Sequence, residues 1–273
     1  MQNEAGNEYS HRKTKGFVVK LRATQTATDN GAFDNVLNPT GITGDSYTFG
    51  YYNYSRNAET STWTVTSCTL NETEKKQIKQ AARMLESING EPVVELGANL
   101  FSEFSALESV TLPKGLVTIG ESAFYYCTNL SNINLGNCRN LKNISSYAFF
   151  CCSKLSNINL DKCNSLISIG QQAFFCCRAF NDGTLPSHVE TIGTQAFMDC
   201  ENIESFSLPV SLTSLDSKVF DYCHNLKHIY YDGTIAHWNA LKKAPSWNGA
   251  PNLESIICSD GVIELLPAGN SEG

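Results

Sequence analysis

The stretch IGESAFYYCTNLSNINL, at residues 119–135, recurs with substitutions as ISSYAFFCCSKLSNINL at residues 144–160 and as IGQQAFFCCRAFNDGTL at residues 169–185. All three copies keep an isoleucine, an alanine-phenylalanine pair and a cysteine at the same places. Self-similarity at an interval of about 20–50 residues is typical of repeat proteins. The repeat therefore decides the fold class of this chain.

Six copies of the unit align on the phenylalanine of that pair. Five pairs are spaced by 25, 25, 23 and 23 residues, and an earlier copy begins at Leu100-Phe101. The five pairs are Ala123-Phe124, Ala148-Phe149, Ala173-Phe174, Ala196-Phe197 and Val219-Phe220. Five residues before the phenylalanine stand Leu96, Ile119, Ile144, Ile169, Ile192 and Leu215. Three residues after it stand Phe104, Cys127, Cys152, Cys177, Cys200 and Cys223.

Apolar columns at a fixed period indicate that each unit is one coil of a solenoid, which buries its apolar side by stacking on its neighbours. The segment L-x-x-I-x-L alternates apolar and polar positions, which predicts a short strand. Pro113, Pro186 and Pro209 follow these segments and end them. The segment A-F-x-x-C-x-x-L has apolar residues three apart, which predicts a short helical or 3-10 turn on the opposite side. Six to seven rungs at roughly 4.8 Å would form a body about 30 Å long.

Three coils depart from the pattern. Two adjacent coils have two extra residues after the strand segment, and each contains an additional cysteine, Cys138 or Cys163. In the next coil Gly183 takes a place where a branched apolar residue belongs. A glycine there either weakens the strand as a local irregularity or lets another chain approach the backbone closely.

The unit I-G-x-x-A-F-x-x-C-x-x-L-x-x-I-x-L-P resembles the BspA-like, treponemal-type leucine-rich repeat, and the resemblance covers about residues 91–258. It implies an α+β repeat solenoid, a right-handed leucine-rich repeat stack of about six to seven coils of 23–25 residues. It also implies a bacterial surface protein with a role in adhesion, since relatives have been linked to matrix proteins and to bacterial coaggregation. The family shares its scaffold rather than its ligand, so the resemblance assigns no ligand-binding residue.

The charge and hydropathy of the chain exclude two functional classes. The net charge of −7 and the pI near 5.3 lack the lysine and arginine excess that a nucleic-acid binder needs. No stretch approaches the roughly 18 apolar residues of a membrane span. The start, MQNEAGNEYSHRKTKG, has no apolar core of a signal peptide, which fits either a cytosolic protein or a mature secreted domain with an added Met.

Eleven cysteines are an odd number, so at least one thiol is free in a monomer. The column shared with Phe104 is apolar, and its five cysteines are interpreted as small buried hydrophobes. Cys151 and Cys176 share a column with tyrosine and aspartate and are predicted to be the most accessible thiols. Neither they nor the pair Cys138 and Cys163 should form a disulfide readily, because stacked parallel side chains do not easily adopt its dihedral angle; one exposed disulfide is the alternative. No C-x-x-C motif supports a zinc site, and no cofactor is expected.

The chain is expected to divide into five segments. These are a flexible arm at residues 1–15, a small β-rich subdomain at 16–90 with a capping helix at about 72–88, the repeat solenoid at 91–231, a C-terminal cap at 232–266 and a disordered tail at 267–273. Strands are predicted at Gly16–Arg22, Tyr47–Tyr54 and Ser61–Thr66 from their β-branched and aromatic residues. Asn71 and Glu74 form a candidate capping box at the start of the helix.

The sequence contains no motif of a known catalytic class: no nucleophile elbow, phosphate-binding glycine loop, H-E-x-x-H or dinucleotide fingerprint occurs. Acids such as Asp199, Glu201 and Asp221 could converge only in space. Since repeat bodies present broad surfaces rather than deep pockets, we expect no enzyme. The tyrosines of residues 47–54 are interpreted as ordinary strand packing rather than as a stacking platform for sugars or a partner.

The polar positions of the predicted strands form the candidate binding surface. It begins at Ser109 and Thr111 in the first coil and carries almost no charge. Its residues are Asn132, Asn134, Asn157, Asn159, Ser205, Ser207, His228 and Tyr230. The four asparagines would stack as two amide ladders, which could also simply hydrogen-bond to each other. The low charge favours a polar partner such as a glycan or a protein edge.

Together with these observations, the resemblance implies a noncatalytic protein, secreted or at the cell surface with its signal peptide removed. Its expected partners are a host extracellular matrix protein, a glycan or another cell-surface protein, without nucleic acid. One alternative is a structural spacer or assembly module without a ligand of its own. Another is an intracellular interaction scaffold, which the many unpaired thiols support.

Overall fold

A computed structural model describes residues 41–265 of the chain. The predicted arm at 1–15, the strand Gly16–Arg22 and the tail at 267–273 lie outside these residues. The strands are β1 (Ser46–Phe49), β2 (Tyr52–Asn57), β3 (Thr62–Cys68), β4 (Ser87–Ile88), β5 (Glu91–Leu96), β6 (Thr118–Ile119), β7 (Asn143–Ile144), β8 (Ser168–Ile169), β9 (Thr191–Ile192), β10 (Ser205–Leu208), β11 (Ser214–Leu215), β12 (His228–Tyr231), β13 (Lys242–Lys243), β14 (Ser255–Cys258) and β15 (Gly261–Glu264). The helices are α1 (Glu72–Lys75) and α2 (Ile235–Ala240).

The coils stack as a solenoid of about seven turns along one continuous sheet. This 11-stranded sheet begins with the antiparallel strands β1, β2 and β3, continues in parallel through β5, and then takes one two-residue strand from each coil up to β13, with β4 paired on β5. The inward residue of each strand belongs to the isoleucine column, so that Ile119 pairs with Ile144 and Ile144 with Ile169. The predicted repeat stack is therefore confirmed.

The location of the predicted strands is corrected by the structure. The segment L-x-x-I-x-L forms regular strands only at the C-terminal end, where β10, β12, β14 and β15 make a separate four-stranded sheet. In the two longer coils this segment continues into 3-10 turns, Leu135–Asn137 and Leu160–Lys162. The side chain of Asn134 accepts the Gly136 N–H and caps the first turn, and Asn159 has a left-handed φ of 58° that no strand allows.

The A-F-x-x-C segments form a ladder of tight turns, which we call the turn ladder. Within each turn, bonds such as Cys127 N–H to Phe124 O at 3.1 Å connect residues three apart, as predicted. Between coils, the N–H groups of Ser122, Phe124 and Tyr126 donate to carbonyls of the next coil at 3.0, 2.8 and 2.8 Å. The residues two before and two after each phenylalanine of the repeat have φ between 53° and 64°. These left-handed residues direct the turn N–H groups toward the neighbouring coil. The turn ladder therefore joins the coils by hydrogen bonds between turns, in addition to those of the sheet.

The core is a column of stacked aromatic rings, which we call the phenylalanine stack. Its members are Phe101, Phe124, Phe149, Phe174, Phe197 and Phe220, with centroids of successive rings 5.2, 5.1, 5.2, 5.3 and 6.0 Å apart. All six rings are fully buried. Close stacking also restricts the position after the isoleucine column, where a Cβ at Gly120 would lie 2.4 Å from the carbonyl oxygen of Leu96. Ser145 and Asp216 take this position in two other coils.

The N-terminal end of the solenoid differs from the prediction in two ways. The predicted helix at 72–88 is wrong beyond its first turn, because α1 contains only four residues although the capping box of Asn71 and Glu74 is present. After α1 the chain is extended instead, and Gln80 pairs in parallel with Ser109 of the first coil. Ala81, Leu85 and Ile88, whose spacing would also fit one face of a helix, are buried in the core from this extended segment. The predicted strand Tyr47–Tyr54 is a hairpin, with Gly50 in a left-handed turn between β1 and β2.

The C-terminal end is closed by a segment that replaces a further coil. Helix α2 buries Trp238, whose ring contacts Trp247 at 5.5 Å and lies 4.8 Å from the ammonium group of Lys243. The N–H groups of Lys218 and Val219 donate to carbonyls of residues 246 and 247 at 2.6 and 2.9 Å. Those groups would otherwise be unsatisfied at the last turn, so this segment acts as a cap.

Candidate functional site

A shallow concavity of about 470 Å³ lies beside strand β10, where the four-stranded sheet begins. We call it the polar concavity. It is lined by Asn181, Gly183, Thr184, Asn202, Glu204, Ser205, Ser207 and Tyr230. Three of the eight predicted site residues, Ser205, Ser207 and Tyr230, therefore lie together, and the lining extends over three successive coils.

The floor of the polar concavity is formed where the repeat pattern breaks at Gly183. A Cβ atom at this position would lie 2.2 Å from the carbonyl oxygen of Ser205, so no other residue fits without a backbone shift. Two hydrogen bonds join Ser207 to the preceding coil: its N–H donates to Gly183 O at 2.6 Å and its carbonyl accepts the Leu185 N–H at 3.3 Å. Across β10 and β12, Ser207 stands beside Tyr230. Gly183 thus allows the next coil of the same chain, rather than a ligand, to approach its backbone closely.

The side chains that line the polar concavity are available for hydrogen bonds. Within residues 41–265, no side-chain hydrogen bond involves the hydroxyl or amide groups of Thr184, Asn202, Ser205 or Ser207, and Asn181 is likewise unpaired. Tyr230 is 42% exposed and contacts no other aromatic ring of the described chain. The lining contains one acid, Glu204, and no base. This chemistry suits a neutral partner with several hydroxyl or amide groups.

The predicted asparagines lie outside the polar concavity and largely satisfy one another. Asn159 donates its side-chain amide to the Asn134 oxygen at 3.1 Å, and the Asn157 side chain accepts the Asn159 N–H at 2.8 Å. Asn132 is exposed and its carbonyl accepts the N–H of Val110. One predicted ladder, Asn134 over Asn159, is thus present as internal structure. A role of these asparagines in binding stays a prediction.

His228 is also outside the polar concavity. Its ring Nδ1 lies 3.0 Å from the Ser255 hydroxyl, which links β12 to β14. The sequence prediction missed four lining side chains, those of Asn181, Thr184, Asn202 and Glu204. Gly183 was the signal that could have found them, because the site formed at the coil whose strand segment lacks its branched apolar residue.

A buried acid, Asp182, lies next to the floor of the polar concavity. Its side chain is 6% exposed and accepts the Leu160 N–H at 2.6 Å. It takes the place of a strand hydrogen bond between this coil and the preceding 3-10 turn. Burial raises the pKa of Asp182 above its ordinary value of 3.8, and the bond from Leu160 opposes that shift.

The cysteine column of the turn ladder is part of the scaffold. Each buried thiol donates to the phenylalanine carbonyl of the preceding coil, and these bonds are 3.0 to 3.1 Å long. The five donors are Cys127, Cys152, Cys177, Cys200 and Cys223. Desolvation raises the pKa of these thiols, that of Cys223 to about 12. All eleven cysteines of the chain are free thiols.

Half-buried side chains form a second surface on the outside of the turn ladder. The rings of Tyr125, Phe150 and Phe175 stack at 4.9 and 4.7 Å, beside the partly exposed Cys151 and Cys176. The stacking covers the ring faces that lie between neighbours. Desolvation is the main cause that raises the pKa of Cys176, to about 12, which disfavours a reactive thiolate.

Two further findings concern metal ligands and membrane spans among the described residues. No group of three or more His, Cys, Asp or Glu side chains within 41–265 is arranged to hold a metal ion. In the same residues no helix is both long and apolar enough to cross a membrane.

Known proteins share both the repeat and the fold. The sequence profile described as "BspA type Leucine rich repeat region" matches residues 94–227 in six copies. A leucine-rich repeat protein from T. pallidum is 31% identical over 66% of this chain and 78% of its own, with a TM-score of 0.59. One from Bacteroides ovatus is 25% identical over 78% of this chain and 57% of its own, with a TM-score of 0.56. No curated protein sequence matches the chain.

BspA-type proteins generally mediate protein interactions, are generally noncatalytic and are often associated with cell surfaces. The column of isoleucines in the sheet, the phenylalanine stack and the cysteine column are the structural form of the matched repeat. Together with the T. pallidum relative, they show that this chain belongs to the BspA-type leucine-rich repeat family.

Proposed function

We propose that this chain is a noncatalytic adhesion protein, secreted or displayed on a bacterial cell surface. It attaches to a polar partner, which is a host extracellular matrix protein, a glycan or another cell-surface protein. The observation that carries the proposal is the polar concavity, where Thr184, Asn202, Ser205 and Ser207 present hydrogen-bonding groups that the described chain does not use. The buried core of the solenoid requires none of these groups, so their clustering suits recognition of a partner.

The charge and the scaffold support the same function. The lining contains no base and the chain has a net charge of −7, so an anionic partner such as nucleic acid is disfavoured. A rigid scaffold below the surface keeps the side chains in place before the partner arrives, which lowers the entropy cost of binding. BspA-type repeats generally mediate protein interactions, which agrees with a binding role.

A second candidate is an intracellular interaction scaffold. The specific observation in its favour is that all eleven cysteines are free, since secreted proteins with many cysteines usually oxidise some of them. Labelling of intact cells with a membrane-impermeant reagent separates the two candidates. Labelled protein supports the surface location, whereas labelling only after lysis supports the intracellular scaffold.

The test of adhesion is a binding screen of the full chain against host matrix proteins, glycans and whole cells. The test variant is Asn202→Ala combined with Ser207→Ala, which removes two hydrogen-bonding side chains of the polar concavity. The matched control is Asn140→Ala combined with Ser259→Ala, because both residues are exposed and outside the concavity. We expect the test variant to weaken attachment by about tenfold and the control to leave it unchanged.

Circular dichroism and thermal unfolding establish that both double variants are folded. The proposal fails if the folded wild-type chain attaches to no protein, glycan or cell. It also fails at this surface if both double variants attach as well as the wild type does. In that case the outer surface of the turn ladder becomes the candidate.

A further inference from the structure

We infer that the polar concavity binds a segment of a neutral glycan, with Tyr230 stacking on a sugar ring. The inference rests on the proposed function, because it names the class of ligand for the same surface. Three features of the described structure carry it: the hydrogen-bonding groups, the charge and the position of the unpaired ring.

The hydrogen-bonding groups match those of a sugar. Hydroxyl groups of Thr184, Ser205 and Ser207 both donate and accept, as do the amides of Asn181 and Asn202. Sugar hydroxyls also have both capacities, so each can pair with either kind of group. The polar concavity is shallow, with a volume of about 470 Å³, which suits a short oligosaccharide segment that lies along the surface.

The charge of the lining excludes strongly anionic ligands. Glu204 is the one charged residue of the lining, and a sulfated or phosphorylated group would meet no cation there. Glu204 can accept hydrogen bonds from two sugar hydroxyls, and charge-assisted bonds of this kind are stronger than neutral ones. The ligand is therefore expected to be uncharged.

The backbone disfavours an extended peptide as the ligand. A peptide commonly binds to a sheet by adding a strand to a free edge. Here Ser207 of β10 is hydrogen-bonded to the neighbouring coil on one side, through Gly183 and Leu185, and β10 pairs with β12 on the other. Recognition in the polar concavity must therefore use side chains, which suits a sugar.

Tyr230 provides the aromatic element of the site. In the register of the second sheet it stands one rung from Ser207, at a spacing of about 4.8 Å, so its ring borders the hydrogen-bonding groups. Unlike Tyr222 and Tyr126, which each contact another ring, Tyr230 contacts none in the described chain. An unpaired, exposed ring next to hydroxyl and amide groups can stack on the apolar face of a sugar while its neighbours bind the hydroxyls.

The test uses the full chain on a microarray of neutral and sulfated glycans, followed by isothermal titration calorimetry with the strongest neutral hexasaccharide. We expect saturable binding to a neutral glycan. Tyr230→Ala should weaken it by about tenfold, whereas Tyr230→Phe, which keeps the ring, should stay within about threefold of the wild type. Tyr222→Ala is the matched control, because Tyr222 is 55% exposed and belongs to the turn ladder. It should bind like the wild type.

The inference is overturned if the folded chain binds no neutral glycan, binds only sulfated glycans, or binds a neutral glycan equally well after Tyr230→Ala. These results are distinct from failure of adhesion. Attachment to a matrix protein that is lost in the Asn202→Ala and Ser207→Ala double variant, without glycan binding, leaves the proposed function in place and removes the glycan. Binding of a neutral hexasaccharide without attachment to any cell or matrix protein supports the ligand class and removes adhesion.

Discussion

The buried cysteine of each coil combines two properties that few side chains share. Cys152 is small enough to fit beside the phenylalanine stack, and its thiol donates to the Phe124 carbonyl at 3.1 Å. The same carbonyl also accepts the Cys127 N–H at 3.1 Å, so the thiol is its second donor. The apolar nature of this column was predictable from Phe104, but its donor function was not, because the sequence does not show where the neighbouring carbonyl lies.

The first prediction concerns adjacent cysteines of one coil. Cys152→Ala removes both the donor and buried volume, so we expect it to lower the free energy of unfolding by about 1–3 kcal/mol. Cys151→Ala changes a partly exposed side chain and should stay within about 0.5 kcal/mol of the wild type. Urea unfolding followed by circular dichroism measures both. Equal losses in the two variants would show that the thiol bond and burial are not the cause.

A second prediction uses the buried acid at the edge of the polar concavity. Because burial raises the pKa of Asp182, the folded state holds its proton more tightly than the unfolded chain does. Its contribution to stability is full below the ordinary pKa of 3.8 and is lost as the pH rises through the folded pKa. Asp182→Asn keeps an oxygen for the Leu160 N–H but does not titrate.

The free energy of unfolding of the wild type, minus that of Asp182→Asn, should therefore fall as the pH rises above the ordinary pKa of 3.8. Chemical denaturation at several pH values measures this difference, and the other carboxylates cancel because both proteins contain them. A difference independent of pH would contradict the assigned shift.

At the scale of the element, the turn ladder depends on backbone conformations that side chains disfavour. Lys218 has a φ of 58°, although its side chain is exposed. A left-handed conformation costs a residue with a Cβ roughly 1–2 kcal/mol, which glycine does not pay. The left-handed conformation nevertheless recurs in every coil, because these residues direct their N–H groups toward the next coil.

The third prediction compares two exposed lysines. Lys218→Gly should be neutral or stabilising, by up to about 1 kcal/mol, because relief of the left-handed φ outweighs the greater entropy of the unfolded chain. Lys227→Gly, whose φ is not positive, should destabilise by about 0.5–1 kcal/mol. Thermal and urea unfolding of both variants tests the difference. A larger loss at Lys218 than at Lys227 would mean that its side chain contributes contacts that outweigh the strain.

The elements also show what the sequence could and could not predict. The period, the apolar columns and the tight turns follow directly from the spacing of Phe124 and its equivalents, and the structure confirms them. The main sheet was predicted in the wrong segment, because a strand of two residues such as Thr118–Ile119 is too short to show alternation. The helix from residue 72 was overextended, because its apolar spacing also suits an extended segment that packs on the first coil.

At the scale of the whole molecule, ring contacts form an almost unbroken core from end to end. Tyr52 of the N-terminal hairpin contacts Phe101 at 6.0 Å, and the phenylalanine stack continues from there to Phe220. At the other end, Tyr231 contacts Trp238 at 5.3 Å within the cap. In a repeat protein with strong contacts between neighbours, the coils are expected to unfold together. The position of the polar concavity within this body was not predictable, because it depends on how three coils pack around one glycine.

The fourth prediction uses the three tryptophans, which lie at the two ends. Trp63 is buried in the N-terminal sheet, whereas Trp238 and Trp247 belong to the cap. In a Trp63→Phe variant the fluorescence reports the cap, and in a Trp238→Phe and Trp247→Phe double variant it reports the N-terminal end. In each variant the urea midpoint from fluorescence should coincide with that from circular dichroism. A lower midpoint for the cap fluorescence alone would show that the cap unfolds first.

The backbone hydrogen bonds between successive turns of the turn ladder run in one direction, since the N–H groups of each coil donate to the carbonyls of the next. Every internal coil thus accepts these hydrogen bonds on one side and donates them on the other, so its two ends are complementary. An added copy of the 23-residue unit between Phe197 and Phe220 would meet the same contacts as its neighbours and lengthen the body by about 5 Å. The number of coils therefore determines the length of the solenoid. Gain or loss of single repeats can change that length while the core contacts of each coil stay the same.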